Sequence, residues 1–562
     1  MDSTPTAPHP GHPDMPRWNL GELPEAPVFA WRNWLAMLGP GIFLGSQFIG
    51  GGEWLLGPLI TAKFGGGLLW LALMSILGQL VYNIEISRYT LYSGEPIFSG
   101  KFRTLPGPLF WVCVYLVIDF GSLFPYLAAN AATPLVALFK GTIPDPDRDA
   151  WLLRLTSIAI LLGAMIPLLF GGKVYNAIRV LMGFKLVYVM GFLLLVAVLF
   201  STRSTWVEIA SGFFKFGNVP IKSSEDLNGN GRLDPGEDWD GDGHLDALEV
   251  DENKNGKLDP QEDLDGDGMR DGDRLDNIFL ALWEGRFPQI EPSMIALLCG
   301  LIAISGGGGT GNTLISNFTR DQGWGMGKHV GAIPSMIGGH HLELSHVGTV
   351  FEVTPQVLPR WRRWYWHVCR DQMFLWLPAS LFGVALPCML SIQFLPRGFD
   401  LQDPWLCSVM TANAISENVG PAFGNLFWYM TIFCGFVVLG LTVAPAADGF
   451  VRRWVDTFWT SSRWLRSLHP RNIRYVYFSM LTLYMVVGVI LLCVGKPTTL
   501  LLIAGVLLNY ALGISCWHTL AVNVFLLPRP LRPGWFLRTA LFLAGLFFVL
   551  VATLSTLVTF SS

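Results

Sequence analysis

Charge is what this chain of 562 residues lacks: 14% of it is Asp, Glu, Lys or Arg, where a soluble domain carries about 25%. Combined with 51% hydrophobic residues, 22 Trp and a mean hydropathy of +0.44, the deficit excludes the string of soluble domains that length alone suggests. CxxC spacing is also missing. The eight cysteines (113, 299, 369, 388, 407, 434, 493 and 516) lie mostly in apolar segments, as small buried helix residues do, and they indicate no zinc or redox site. No nucleophile elbow, P-loop or Rossmann fingerprint stands in a strand–turn–helix context, so neither enzymatic activity nor nucleic-acid binding is expected. The Pro-rich N-terminus, MDSTPTAPHPGHPDMPRWNLGELPEAP, has no apolar core segment. It reads as a flexible cytoplasmic tail over 1–33 and not as a signal peptide.

Apolar runs fill the remainder. A spanning helix needs about 20 predominantly apolar residues. Eleven such segments occur, at roughly 34–62, 68–92, 107–139, 151–170, 177–200, 292–318, 370–395, 423–446, 475–494, 499–527 and 536–559. The expected fold is an all-α polytopic membrane protein, with spans one to five in 34–200, an outer loop at 201–290, spans six to ten in 291–535 and an eleventh in 536–562. Orientation follows from basic residues in alternate connections. Lys101 and Arg103, Lys173 and Arg179, and Arg320, Lys328, Arg360, Arg362 and Arg363 fall on one side. Arg452, Arg453, Arg463, Arg466, Arg471, Arg474, Arg529 and Arg532 fall there too. The N-terminus is therefore expected in the cytoplasm, in the plasma or an inner membrane.

Two spans contain glycine runs. Span one carries Gly50, Gly51 and Gly52 followed by Glu53, and span six carries Gly306 to Gly309, then Thr310, Gly311 and Asn312. Each interior glycine costs a helix about 1 kcal/mol relative to alanine. Close helix packing wants glycines four apart on one face, whereas contiguous runs favour unwinding. Unwound backbone is tolerated at membrane depth where it lines a cavity. Two broken helices five spans apart have the offset of an inverted five-plus-five repeat with its substrate site at the midplane. Ser46, Gln47, Gly50, Glu53, Gly309, Thr310 and Asn312 are the candidate substrate-binding residues. Glu53 stands at the start of a second half-helix, where the dipole favours a carboxylate; a capping role is its structural alternative. Glu53 and Asp119 are the candidates for proton coupling. Glu85, Arg88 and Lys185 are weaker members of such a relay, with a structural ion pair the alternative for Glu85 and Arg88, and Asn509 either faces the site or bridges helices.

These residues also carry a family resemblance. Gly39-Pro40-Gly41 through Glu53, running on to QLVYNIEISRYTLYSG, resembles the first two helices of the Nramp family of proton-coupled divalent-metal transporters in the APC superfamily. GLTVAPAADGFVRRWVDTFW at 440–459 and the segments RNIRYVYFSML and LLIAGVLLNYALG are similar to its later helices. The resemblance implies that family's fold and a transport role. It departs at the site: Gly50-Gly51-Gly52-Glu53 stands where the family has Asp-Pro-Gly-Asn, and Gly309-Thr310-Gly311 where it has Met-Pro-His. The soft thioether that suits transition metals is absent, and the oxygens that remain suit a hard cation such as Mg²⁺ or a different small solute.

One polar module interrupts the apolar body. Between Glu225 and Asp276 lie 19 of the 42 acidic residues against 5 of the 38 basic ones, a local balance of −14. A twelve-residue calcium-loop pattern repeats there: Asp226, Asn228, Asn230, Asp234 and Glu237; Asp238, Asp240, Asp242, Asp246 and Glu249; Asp251, Asn253, Asn255, Asp259 and Glu262; and Asp263, Asp265, Asp267 and Asp271. Oxygens at loop positions 1, 3, 5 and 12, with glycine at position 6, are what Ca²⁺ requires. The fourth copy has Arg274 where the final Glu belongs. Starts 12 or 13 residues apart leave no room for flanking helices, so the copies resemble strung calcium loops of the thrombospondin type-3 or dockerin kind. The insert is expected to face outward and bind Ca²⁺. His329, His340, His341, Glu343 and His346 form a second, weaker metal candidate.

The functional expectation is secondary active transport of a small cation, a divalent metal ion first, by alternating access, with H⁺ or Na⁺ as the coupling ion. An ion-coupled organic-solute symporter and a calcium-sensing membrane protein without transport are the alternatives.

Overall fold

A computed structural model describes residues 9–28, 40–50, 52–145, 147–169, 174–221, 275–285, 287–288, 290–331, 345, 347–395, 404–467, 469, 472–494 and 497–561. The calcium-loop copies at 226–274, together with His340, His341, Glu343, His346 and the side chain of Glu53, lie outside the described residues.

The fold is all-α and polytopic. Helix 1 is split into 1a (Pro40–Phe48) and 1b, in which a π-helical turn (Gly52–Leu56) runs into Gly57–Phe64. Helix 2 is Leu69–Ser93. Helix 3 is split into 3a (Pro108–Ile118) and 3b (Tyr126–Lys140). Helix 4 is Ala150–Gly163 continued by Ile166–Leu169, and helix 5 is Val174–Phe200. Helix 6 is split into 6a (Pro292–Ile304) and 6b (Leu314–Asp321). Helix 7 joins Leu358–Asp371 to Leu377–Phe394, and helix 8 joins Gly424–Gly440 to Val443–Ser461. Helices 9 (Ile473–Val494), 10 (Pro497–Phe525) and 11 (Trp535–Ser561) complete the bundle. Among the described residues nine helical stretches are long and apolar enough to cross a membrane, and 3a and 6a add shorter apolar helices. Leu109, Val117, Trp151, Val180 and Val187 are more than two-thirds exposed on the outside of helices 3 to 5. Lipid accommodates such a surface; water would not.

The halves of helices 1 and 6 cross over. Helix 1a packs on 6b, and the π turn that opens 1b packs on 6a, the reciprocal contact that two inverted repeats produce.

Three sequence expectations change. Residues 9–28 do not trail as a free tail. Asn19–Leu20 forms a two-residue parallel ladder with Thr349–Val350, and Met15, Trp18 and Leu23 are buried. The indole of Trp18 lies 4.9 Å from the Arg103 guanidinium and 5.7 Å from the Tyr92 ring. Trp364 donates to the Pro24 carbonyl at 2.8 Å. Apolar anchors spaced along a Pro-rich segment suffice to hold it as a strap.

Secondly, Arg320, Arg452 and Arg453 are not loop residues. Helix 8 continues to Ser461, fifteen residues beyond the expected end, because inward-facing ion pairs compensate its charges. Arg452 pairs with Asp321 and with Asp448 (3.1 Å), and Arg320 pairs with Asp321 and Asp456, both at 2.9 Å. Thirdly, Lys101 and Arg103 are buried in the connection between helices 2 and 3, not exposed on it. Burial would raise the Glu95 carboxyl, yet Arg103, forked onto it at 2.6 and 2.9 Å, holds it below the usual carboxylate value.

Candidate functional site

The glycine run of helix 6 unwinds it. Gly306, Gly307, Gly308 and Gly309 have φ of 94, 138, 73 and 58°, left-handed values that glycine alone adopts at little cost. A Cβ on Gly308 would sit 2.2 Å from the Ala303 carbonyl oxygen. Helix 2 clamps the opened backbone. Ser75 donates to the Ile302 carbonyl at 2.6 Å, and Gln79 donates to Ser305 O at 2.7 Å while accepting from Gly308 N at 3.2 Å. Part of the freed backbone is therefore already satisfied, and these carbonyls are not open to a substrate. Helix 1 breaks at Ile49 and Gly50. The ammonium of Lys185, from helix 5, donates there to the Ile49 carbonyl and, at 2.6 Å, to the Thr442 hydroxyl at the joint of helix 8. A cation at the carbonyl end of a half-helix matches its dipole.

A third break was not legible as one. Helix 3 stops at Ile118, turns through Phe120–Leu123, and restarts at Tyr126. Pro125 cannot continue the preceding helix, and Gly121 lets helix 10 approach, since a Cβ there would lie 3.0 Å from that of Leu507. Asp119 opens this break, buried. Its carboxylate accepts from the Thr310 hydroxyl, from Ser122 Oγ at 2.7 Å, from Trp454 Nε1 at 2.9 Å and from Arg453 Nη2 at 3.2 Å.

The three breaks surround a cavity of about 100 Å³. Helix 1 contributes Gln47 and Gly50, helix 3 Gly121 and Ser122, helix 6 Gly307, Gly308 and Gly311, and helix 8 Thr442 and Arg453. Tyr484 and Leu508 close it from helices 9 and 10. The Oε1 atom of Gln47 is buried without a partner among the described residues.

The candidate residues divide accordingly. Gln47 and Gly50 line the cavity. Thr310 adjoins it through Asp119. Gly309 packs against Leu508, whose side chain a Cβ would meet at 2.4 Å. Ser46 turns to helix 5 and donates to the Met182 carbonyl at 2.7 Å. Asn312 turns to helix 2, donating to Asn83 Oδ1 at 2.8 Å; Asn83 in turn donates to Gln372 at 3.1 Å. That chain ends on Asp371, which caps helix 1a by accepting from Gly41 N at 2.7 Å. Of Glu53 the backbone alone is described, in the π turn.

Glu85 and Arg88 pair with each other at 2.9 Å and with Asn523 and the Leu531 carbonyl, so they fasten helix 2 to helix 10. Asn509 bridges helices, donating to the Cys299 carbonyl at 2.8 Å. His329 contacts the Glu22 carbonyl of the strap at 2.9 Å. No cluster of three His, Cys, Asp or Glu able to hold a metal occurs among the described residues. Arg453, Tyr484, Thr442 and Ser122 are among the lining residues that sequence reasoning missed; Arg453 was hidden in a basic run that reads as a loop.

No family model matches the chain, and no curated protein does. Solved structures share its fold. A point variant of the Eremococcus coleocola manganese transporter aligns with a TM-score of 0.54 at 12% identity, over 94% of this chain and 88% of that one. The same transporter in complex with an aromatic bis-isothiourea substituted compound gives 0.51 at 14% identity over the same shares. The chain is thus an integral membrane protein with the fold of that transporter.

Proposed function

We propose that the chain is a secondary active transporter that carries a small solute through the cavity among the three breaks by alternating access, with proton coupling. The observation that supports it is the cavity itself, at the crossing of two discontinuous helices and floored by glycine backbone. The lining favours an organic solute bearing a carboxylate or similar anionic group. Such a solute meets the Arg453 guanidinium, the Tyr484 hydroxyl and the Gln47 oxygen, which has no partner among the described residues. A bare divalent cation would meet Arg453 without the carboxylate cluster that hard cations need.

One observation favours the divalent-cation reading: Glu53 stands in the turn that opens helix 1b, beside the same break. A single experiment decides between the two. Full-length protein in proteoliposomes is given a panel of labelled amino acids, small carboxylates, Mg²⁺ and Mn²⁺ under an inward proton gradient. Accumulation of an organic anion or zwitterion supports the first reading, and accumulation of metal alone supports the second. Accumulation of none rejects transport and leaves the calcium-sensing alternative.

We further propose that the 226–274 segment binds Ca²⁺ outside the membrane as a structural or regulatory element, separate from the transport cavity. Its support is the register of the four loops, of which three carry a full ligand set in sequence. The N-terminus is proposed to be cytoplasmic. In support, the strap touches the 2–3 and 6–7 connections, which the basic residues assign to that side, and the ends of helices 2 and 7 that adjoin them, whereas Asn218–Pro220 and Leu275–Asn277, which flank the insert, pair near the 1–2 connection through Trp70.

A further inference from the structure

Lys101 belongs to the short helix Ile97–Phe102 between helices 2 and 3, and its side chain is completely buried. Among the described residues no carboxylate forms an ion pair with it. The ammonium donates instead to Ser515 Oγ of helix 10, lies 3.5 Å from the Tyr82 hydroxyl, and sits 5.0, 5.4 and 5.8 Å from the ring centroids of Tyr115, Phe98 and Tyr82. Aromatic faces and neutral oxygens stabilise a cation moderately and accept a neutral amine equally well. Every other buried cation described above has a carboxylate or a helix-end carbonyl; this one has neither.

Polar groups lead from the cage to the surface. The Tyr115 hydroxyl contacts His518 Nδ1 at 3.0 Å, and His518 Nε2 contacts Thr104 Oγ1 at 2.7 Å. Thr104 is partly exposed, and the next residue, Leu105, is 79% exposed. An imidazole with a hydroxyl on each nitrogen can take a proton on one side and release it on the other. On the inner side, Asp119 lies four residues along from Tyr115, its N–H bonded to the Tyr115 carbonyl at 2.8 Å. The charged groups around Lys101 are few. Asp119 and the Cys516 thiol favour its protonated form, Arg453 opposes it, and burial, the largest influence, pushes its pKa down to about 7. His518 and the Tyr82 and Tyr115 hydroxyls complete the surroundings.

We propose that Lys101 holds the coupling proton, exchanging it with the side on which Thr104 lies through His518 and Tyr115. The step is a simple proton transfer: the neutral amine gains one proton and one positive charge, and returns both in the other half of the cycle. The charge acts on Asp119, which a protonated Lys101 draws away from Arg453 and Thr310, loosening the join between the breaks of helices 3 and 6. This inference rests on the transporter reading above, and the test separates the two.

The first arm needs no solute. Unfolding temperature of the purified full chain is followed from pH 5 to 10 for the wild type, Lys101→Met and Lys101→Arg. In the fold the amine binds its proton less tightly than in the unfolded chain, so the wild type gains stability as pH rises from about 7 toward 10. Both variants should lose that rise, and identical profiles would overturn the assignment. Arginine keeps the charge and serves if the methionine variant does not fold. In the second arm, proteoliposomes receive the labelled amino-acid panel with Mn²⁺, either under a proton gradient or as exchange at equal pH. The variants should lose gradient-driven accumulation at least tenfold and still exchange. Undiminished accumulation by either variant would overturn Lys101 alone. A wild type that accumulates nothing would reject transport and with it the coupling role, whatever the first arm shows.

Discussion

The carboxylate of Asp119 accepts the hydroxyl of Thr310, so the break in helix 3 is tied directly to the break in helix 6. Arg453 completes the join from helix 8. Any movement that opens the cavity past helix 6 must either carry helix 3 along or exchange these bonds.

Asp119→Asn keeps an oxygen for Thr310 and leaves Arg453 buried beside a neutral amide. Loss of one partner of a buried ion pair costs about 3–5 kcal/mol. The expected outcome is that loss of stability in denaturant unfolding of detergent-solubilised protein. A double variant with Arg453→Gln should recover part of it. A double-variant loss equal to the sum of the two single losses would mean that the pair is not coupled.

Gly308→Ala should fail to fold or lose all uptake, because the new Cβ meets a carbonyl at 2.2 Å at a left-handed φ. Gly191→Ala in helix 5, where a Cβ meets nothing within 4 Å, should instead stabilise by roughly 0.5–1 kcal/mol. Expression and melting of the two variants side by side check the contrast.

The strap should release in acid. Arg103 holds the Glu95 carboxyl below its usual value of 4.5. The pair's contribution is therefore complete above that value and lost as pH falls through the lower folded value. Hydrogen exchange in 95–103 should quicken below pH 4.5 in the wild type. Glu95→Gln should be fast throughout, and Trp18→Ala should loosen the same backbone by about 3–5 kcal/mol.

Calcium titrated calorimetrically into the full-length protein should bind at several sites, and deletion of 226–274 should remove that heat while leaving uptake intact. Loss of uptake in a folded deletion variant would contradict the separation of insert and cavity.

The sequence foretold the breaks of helices 1 and 6 because contiguous glycines carry a large helix penalty at one place. The break of helix 3 was masked, since Gly121 and Pro125 sit four apart in a long apolar run that hydropathy reads as continuous. Arg452 and Arg453 were misread for a related reason: a hydropathy window adds up charges and cannot see that Asp321, Asp448 and Asp119 neutralise them across the bundle. Ser46 and Asn312 were chosen for nearness to a break. Where a helix unwinds, spacing no longer reveals which neighbour a side chain meets, and these two meet helices 5 and 2. Trp18 gave no warning either, since a single anchor has no period.

The parallel ladder of the strap has a bearing on how the protein is made. Asn19–Leu20 leaves the ribosome before Thr349–Val350 has been synthesised, and the connections that bury Trp18 are also made later. The newly inserted bundle must therefore pass through a stage in which residues 9–28 lack their partners. That edge of the bundle is sealed only after helix 7 has been delivered, so residues 9–28, translated before the helices they join, are among the last to find their place.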